Sequence, residues 1–264
     1  MSVFELRQQS SPLVVSVPHD GALIPDDIRA VMNPAVTQST DRDLHIGRIF
    51  DFEGISCSRI KANYARHVID LNRPASGQPL YQNQPETELC PTSDFDFNPL
   101  YQPGQQPGAE EIERRTELYW RPYHVQLKAL VDLAVADFGC CLLIDAHSIN
   151  ARVPRFFSGR LPDINVGTND GKSCAGQLSQ LLGQRLAHQG VFSYVVNGRF
   201  KGGYITRHYG QPESNVHAIQ LEHSKSAYLD EQQNLSPGAL QLRDFWESAL
   251  RELLNELKSV SAIT

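Results

Sequence analysis

Three apolar runs in this chain end alike, and that shared ending constrains the fold more than any other feature. "VVSVPHDG" closes on His19, "CCLLIDAHS" on Asp145, His147 and Ser148, and "HAIQLEHS" on Glu222, His223 and Ser224. Continuous apolar runs of this length read as strands covered on both faces, as in a parallel sheet. In an open α/β sheet the carboxyl ends of the strands border the crevice that takes ligands. Acids, imidazoles and hydroxyls carried out of the core at such ends predict that the chemistry lies along that edge.

The remaining pattern suits that sheet. Ser11–His19 reads as a buried strand stopped at Pro18, Thr40–Phe52 as a helix starting near Thr40 or Asp41, and "ISCSRIKA" and "HVIDLN" as short strands. Ala109–Gly139 is a long helix pattern with glutamates in its first turn and Gly139 as its stop; Pro122 is expected to kink or split it. A helix around Cys174–His188, a strand in "VFSYVVN" and a final amphipathic helix over Ser236–Leu257 follow, with Pro237 in the first turn of the last. Strands alternating with helices predict a three-layer α/β/α fold with a mostly parallel, mixed sheet. Across 264 residues there is no internal repeat or break in composition, so one domain spanning 1–264 is expected. Arg73–Gly108, rich in Pro, Gln and Asn, reads as a long excursion of the kind that often carries function.

Bulk properties narrow the partners. With a net charge of −6, a nucleic acid or an anionic membrane surface is disfavoured, and a small-molecule substrate is the class left; the oligomeric state stays open. The start "MSVFELRQQSS" lacks the basic and apolar regions of a signal peptide, and no apolar run reaches the ~20 residues of a membrane span. The five cysteines are odd in number and include no C-x-x-C pair, which argues against a disulfide framework. A cytoplasmic protein is expected.

Two histidines and a carboxylate at one sheet edge suit a catalytic zinc site, which uses three protein ligands and leaves a position for water. A further carboxylate can then act as general base. Each residue also has a plainer reading. A lone histidine at a strand end is more often a hydrogen-bonded structural group, Asp145 could merely orient His147 or cap a turn, and Glu222 could pair with an arginine. Neither His19 nor His147 lies in an H-E-x-x-H helix, so spacing alone is no metal signature. Asn72 and Arg73 suit bidentate recognition of a carboxylate, and Arg66 could polarise a carbonyl, although an ordinary arginine more often makes a surface pair. "NGRFKGGYITRHYG" gathers Arg199, Lys201, Arg207 and His208 around Gly202 and Gly203, as a loop that closes over an anion or as a solvated hairpin; Arg160 sits in a similar turn-rich stretch.

Together, "VPHDG", "DRDLHIGRIFDF", "VIDLNRP", "LCPTSDF", "LLIDAHSI", "GRLPDINVGTNDG", "NGRFKGGYITRHYG" and "QLEHS" resemble the N-formylglutamate amidohydrolases, from about Pro12 to Asp230. The resemblance implies a zinc-peptidase-like α/β fold, related in plan to metallocarboxypeptidases and of the phosphorylase-hydrolase type. It implies hydrolysis of N-formyl-L-glutamate to formate and L-glutamate in histidine degradation, with Zn2+ or another divalent ion activating a water and Glu222 as its base. His19 and His147 match the imidazole ligands. Related desuccinylases carry a ligand glutamate three residues after the first histidine, where this chain has Ala22, so the carboxylate ligand is assigned to Asp43, with Asp41 as the alternative. Arg66 is expected at the developing oxyanion, Asn72 and Arg73 at the α-carboxylate, and Arg207, Lys201 or Arg160 at the γ-carboxylate. Two other functions fit the same residues: a zinc deacylase of other N-acyl amino acids, and a non-catalytic amino-acid-binding domain using Arg73, Arg207 and Lys201.

Overall fold

A computed structural model describes residues 2–36, 41–80 and 86–261. Among them β1 (Phe4–Arg7), β2 (Leu13–Val17), β3 (Ser58–Ala62), β4 (Cys141–Ile149), β5 (Ile164–Gly167), β6 (Tyr194–Val196) and β7 (Val216–Ser224) form one sheet in the order β1-β3-β2-β4-β7-β5-β6. The pairs β3–β2, β2–β4, β4–β7 and β5–β6 are parallel, while β1–β3 and β7–β5 are antiparallel. The expected mostly parallel, mixed sheet is what forms. Every residue of β2, β4 and β7 is buried, because helices cover both faces of these central strands.

Alternate residues of the strands feed two cores. Leu13, Val15, Leu142, Ile144, Ile219 and Leu221 pack with Leu178, Leu182 and Leu186 of the helix Gly176–His188 and with Trp246, Leu250 and Leu253 of the helix Pro237–Ser261. Val14, Leu143 and Ala218 turn the other way, onto Tyr123, Leu127 and Leu130 of the helix Arg121–Phe138 and onto Ile205 and Tyr209 of the helix Tyr204–Tyr209. The period of 2 in the strands and of 3.6 in the helices thus meets in both layers.

Three expectations need correction. The helix expected over Thr40–Phe52 shrinks to Ile46–Ile49 (Thr40 lies outside the described residues). Its lost first turns are tied to Asp20, whose carboxylate accepts from Arg42 and from the backbone N–H groups of His45 and Gly47, and His45 is left-handed at φ 63. "HVIDLN" forms turns rather than a strand. The solvated hairpin considered for Asn197–Gly210 is instead a loop leading into the helix Tyr204–Tyr209. The first strand, Phe4–Arg7, carries no sequence signal, because it is a short, half-exposed edge strand without an apolar run. The long helix pattern keeps its course but is divided at the expected place: an α segment Ala109–Arg115, a π turn Thr116–Trp120 and the α segment from Arg121, with Pro122 in its first turn. Gly139 ends it in the left-handed region at φ 74.

Candidate active site

Strand register builds the site. Parallel β4 and β7 pair Asp145 with Gln220 and His147 with Glu222, so all four side chains leave the same sheet face. On the other flank Ser16 of β2 pairs with Asp145, and the chain runs three residues on to His19. A row of polar groups therefore stands over the carboxyl edge of the central strands, on the face covered by Arg121–Phe138 and Tyr204–Tyr209.

His19, Asp43 and His147 converge there, with ligand-type atoms all within 4.8 Å of one another and all three side chains buried. Asp43 Oδ2 lies 3.0 Å from His147 Nδ1, accepts the Ser148 N–H at 3.1 Å and stands 3.8 Å from His19 Nδ1. His19 Nδ1 and Asp43 Oδ1 are buried without a hydrogen-bond partner, an arrangement that buried polar atoms avoid unless something else satisfies them. Two imidazole nitrogens and a carboxylate, two of them with unsatisfied atoms aimed inward, fit a divalent ion of the zinc type.

Each imidazole is backed by an acid on its far nitrogen. Asp70 Oδ1 lies 2.7 Å from His19 Nε2, and Asp145 Oδ2 lies 2.9 Å from His147 Nε2. This leaves both Nδ1 atoms facing inward, the outer-shell arrangement that orients a metal-binding imidazole. Arg66 completes the anionic side by donating to Asp70 Oδ2 at 2.9 Å, lying 3.7 Å from Asp43 Oδ1 and stacking 4.9 Å over the Phe95 ring.

Burial acts on all these groups and is overruled at some. It would raise the Asp70 carboxyl, but His19 and Arg66 hold it well below its usual range. It would lower His147, but Asp145 and Asp43 hold the imidazole well above its usual value. At Glu222 burial wins: with Asp43 adding to it and His147 and Arg66 opposing, the carboxyl is pushed up to about 8. A carboxyl titrating near neutrality is suited to passing protons in both directions. Beneath the site His223 donates from Nδ1 to the His147 carbonyl at 3.0 Å and accepts the Trp246 indole N–H at 2.8 Å. It is neutral, and burial lowers it to about 4. A cleft opens onto these groups, lined by His19, Arg66, Asn72, Arg73, His147 and Glu222 and walled by Phe95, Phe156 and Phe200.

The sequence profile of the N-formylglutamate amidohydrolase family matches residues 11–229. The chain belongs to the N-formylglutamate amidohydrolase family. The N-formylglutamate deformylase of Pseudomonas aeruginosa is 43% identical over 256 residues, which cover 97% of this chain and 96% of its own. That of Pseudomonas putida is 42% identical over 230 residues, 87% of this chain and 86% of its own. The crystal structure of N-formylglutamate amidohydrolase from Ralstonia eutropha JMP134 superimposes over the full length of both chains with a TM-score of 0.80 at 23% identity, a likeness of fold. This chain is an amidohydrolase, as its motifs implied. No helix among the described residues is long and apolar enough to cross a membrane.

Within this amidohydrolase the sequence-derived site residues separate into two groups. His19, Asp43 and His147 meet, and Asp41 does not join them: its carboxylate accepts the Phe95 N–H at 3.0 Å and lies 3.2 Å from His67 Nε2. Asn72 lines the cleft, but its amide is largely committed. Nδ2 donates to Asp145 Oδ2 and Oδ1 accepts the Ile205 N–H, and Gly203 approaches so closely that a Cβ there would lie 2.4 Å from the Asn72 amide. Arg160, Lys201 and Arg207 lie outside the lining, bonded to Ser226, Asp170 and the Gly202 carbonyl respectively. Arg199, from the same glycine loop, does line it, with Nε donating to the Phe156 carbonyl at 2.7 Å and its guanidinium 5.4 Å from the Phe200 ring. Two further residues were missed. Asp70 was hidden in a supposed strand, and Asp20 gave no signal beyond following His19.

Proposed function

We propose that this protein hydrolyses N-formyl-L-glutamate to formate and L-glutamate, a step that fits histidine degradation, using a divalent ion, zinc in the first instance, held by His19, Asp43 and His147. The observation that carries this reading is the meeting of those three donors beside Glu222, in a cleft that Arg73 and Arg199 also line. The deformylase activity named for the two Pseudomonas relatives supports the choice of substrate. When bound, the ion supplies Lewis acidity that sharpens a water and polarises the formyl oxygen. Glu222 takes the proton from the attacking water and returns it to the glutamate nitrogen as the C–N bond breaks, so formate leaves carrying the water oxygen. Arg66 stands as a fixed positive charge beside the developing oxyanion. The protein is expected to release formate from N-formyl-L-glutamate, to lose that activity on chelation and to regain it with zinc. Turnover of N-acetyl- or N-succinyl-L-glutamate without formate release from the formyl substrate would move it to the broader deacylase reading.

The substrate brings two carboxylates and needs two cations. Arg73 is assigned the α-carboxylate, supported by Asn72, and Arg199 is assigned the γ-carboxylate in place of Arg160, Lys201 or Arg207. Its Nε bond to Phe156 and its aromatic walls pre-orient the fork, so little side-chain entropy is lost on binding. A charge-assisted hydrogen bond contributes about 1.5–3 kcal/mol. Arg199→Gln should therefore raise KM for N-formyl-L-glutamate roughly 10- to 100-fold and leave N-formyl-L-norvaline, which lacks the γ-carboxylate, nearly unaffected. An equal loss on both substrates would remove Arg199 from this role.

A further inference from the structure

The segment Val68–Arg73 carries Asp70, Asn72 and Arg73 into the site, yet it is buried as far as Asn72 and forms no ladder. Buried carbonyls without a ladder need other donors. Three come from side chains of one long helix. Arg115 Nη1 donates to the Val68 carbonyl at 3.1 Å, His124 Nε2 to that of Leu71 at 2.8 Å, and Trp120 Nε1 to that of Arg73 at 2.9 Å. From its other side the segment is held by Asp70 N–H on the Leu89 carbonyl and by Tyr204 N–H on the Asn72 carbonyl.

The spacing of these donors is wrong for a regular helix. At about 100° per residue, positions 115, 120 and 124 would put Arg115 roughly 140–180° away from the other two. The π turn Thr116–Trp120 lies between them, marked by the Arg121 N–H reaching back five residues to the Thr116 carbonyl. One inserted residue removes about 100° of rotation, and the three side chains then fall within about 80° of one another. Pro122, which has no N–H to give to the preceding turn, favours the wider turn at this point. Glu111 and the Tyr101 hydroxyl brace Arg115, and the Trp120 ring stacks on His124 at 3.9 Å.

We propose that the π turn at Thr116–Trp120 is a positioning device for substrate binding: it turns Arg115, Trp120 and His124 onto one face, where their N–H groups hold the backbone that presents Arg73 to the substrate carboxylate. Trp120 is the positioning residue that bonds Arg73 itself. The inference rests on the assignment of Arg73 to the α-carboxylate, and the test keeps the two apart.

Trp120→Phe keeps an aromatic ring beside His124 and removes the donor to Arg73. It should raise KM for N-formyl-L-glutamate about tenfold, the scale of one lost hydrogen bond, with kcat and bound metal nearly unchanged. In an Arg73→Ala background the same substitution should add little, because the two act through one contact. His124→Leu, which removes the donor to Leu71, should give the same KM signature and serves if the first variant is unstable. A lowered melting temperature with unchanged KM would reduce Trp120 to a structural role and overturn the proposal. If Arg73→Ala raises KM and neither helix variant does, the positioning inference fails alone; if Arg73→Ala leaves KM unchanged, the Arg73 assignment fails and the inference with it.

Discussion

Glu222→Gln is expected to lower kcat by about 10²–10⁴-fold while KM and metal content stay within a few-fold of the wild type. Glutamine has the same shape, and Gln220 already donates a hydrogen bond to Glu222 Oε2 at 3.2 Å, so one contact at most is disturbed. What disappears is the ability to accept a proton. The substitution also replaces a buried ionisable group, whose carboxyl burial pushes up to about 8, by a neutral one, so the melting temperature should hold or rise. A large kcat loss in a protein at least as stable as wild type separates chemistry from folding. The acid limb of the kcat profile, which reports a group that must be ionised, should vanish from the residual activity. Full turnover in this variant would remove Glu222 from the mechanism.

His147→Ala is expected to abolish metal retention and to reduce turnover by about 10³-fold or more, beyond the 10–100-fold typical of residues that merely orient a ligand. Removing the imidazole takes one of three converging donors and leaves Asp43 and Asp145 facing a void in the core. Breaking a buried ionic pair by removing one partner typically costs 3–5 kcal/mol, because the remaining charge is uncompensated, and the metal-free variant should be destabilised on about that scale relative to metal-free wild type. Metal analysis of the purified protein and chemical denaturation of chelated samples measure the two effects separately. Unchanged metal content would show that His147 is a structural histidine, the plainer reading that a strand-end position also permits.

Much of this site could be read from residues in order. His19, His147 and Glu222 stand at the ends of apolar runs, and an apolar run is a local property that survives without knowledge of the fold. The choice between Asp41 and Asp43 could not be made that way. They lie two residues apart on one bend, and only the fold brings Asp41 to Phe95 and His67 and Asp43 to the two histidines. Asp70 sits inside "HVIDLN", whose β-branched residues suggest a strand and hide its place in the site. Its backbone is satisfied by Arg115, Trp120 and His124, donors about fifty residues away that no local pattern exposes. Arg199 shares "NGRFKGGYITRHYG" with three other basic side chains, and in sequence nothing but position distinguishes the one that lines the cleft.

By itself the sequence determined the α/β class, the three central strands and the edge along which polar groups emerge. Periodicity and burial are set by each segment's own side chains, so they can be read one element at a time. Tertiary structure alone decided which atom of each group faces which partner. The bonds that do this join residues 51 positions apart for His19 and Asp70, 73 for Asn72 and Asp145, and 104 for Asp43 and His147. Hydrogen-bond geometry tolerates errors of only a few tenths of an ångström, and that precision arises when the register of β4 on β7 and the packing of the Asp43 bend against His19 are set together.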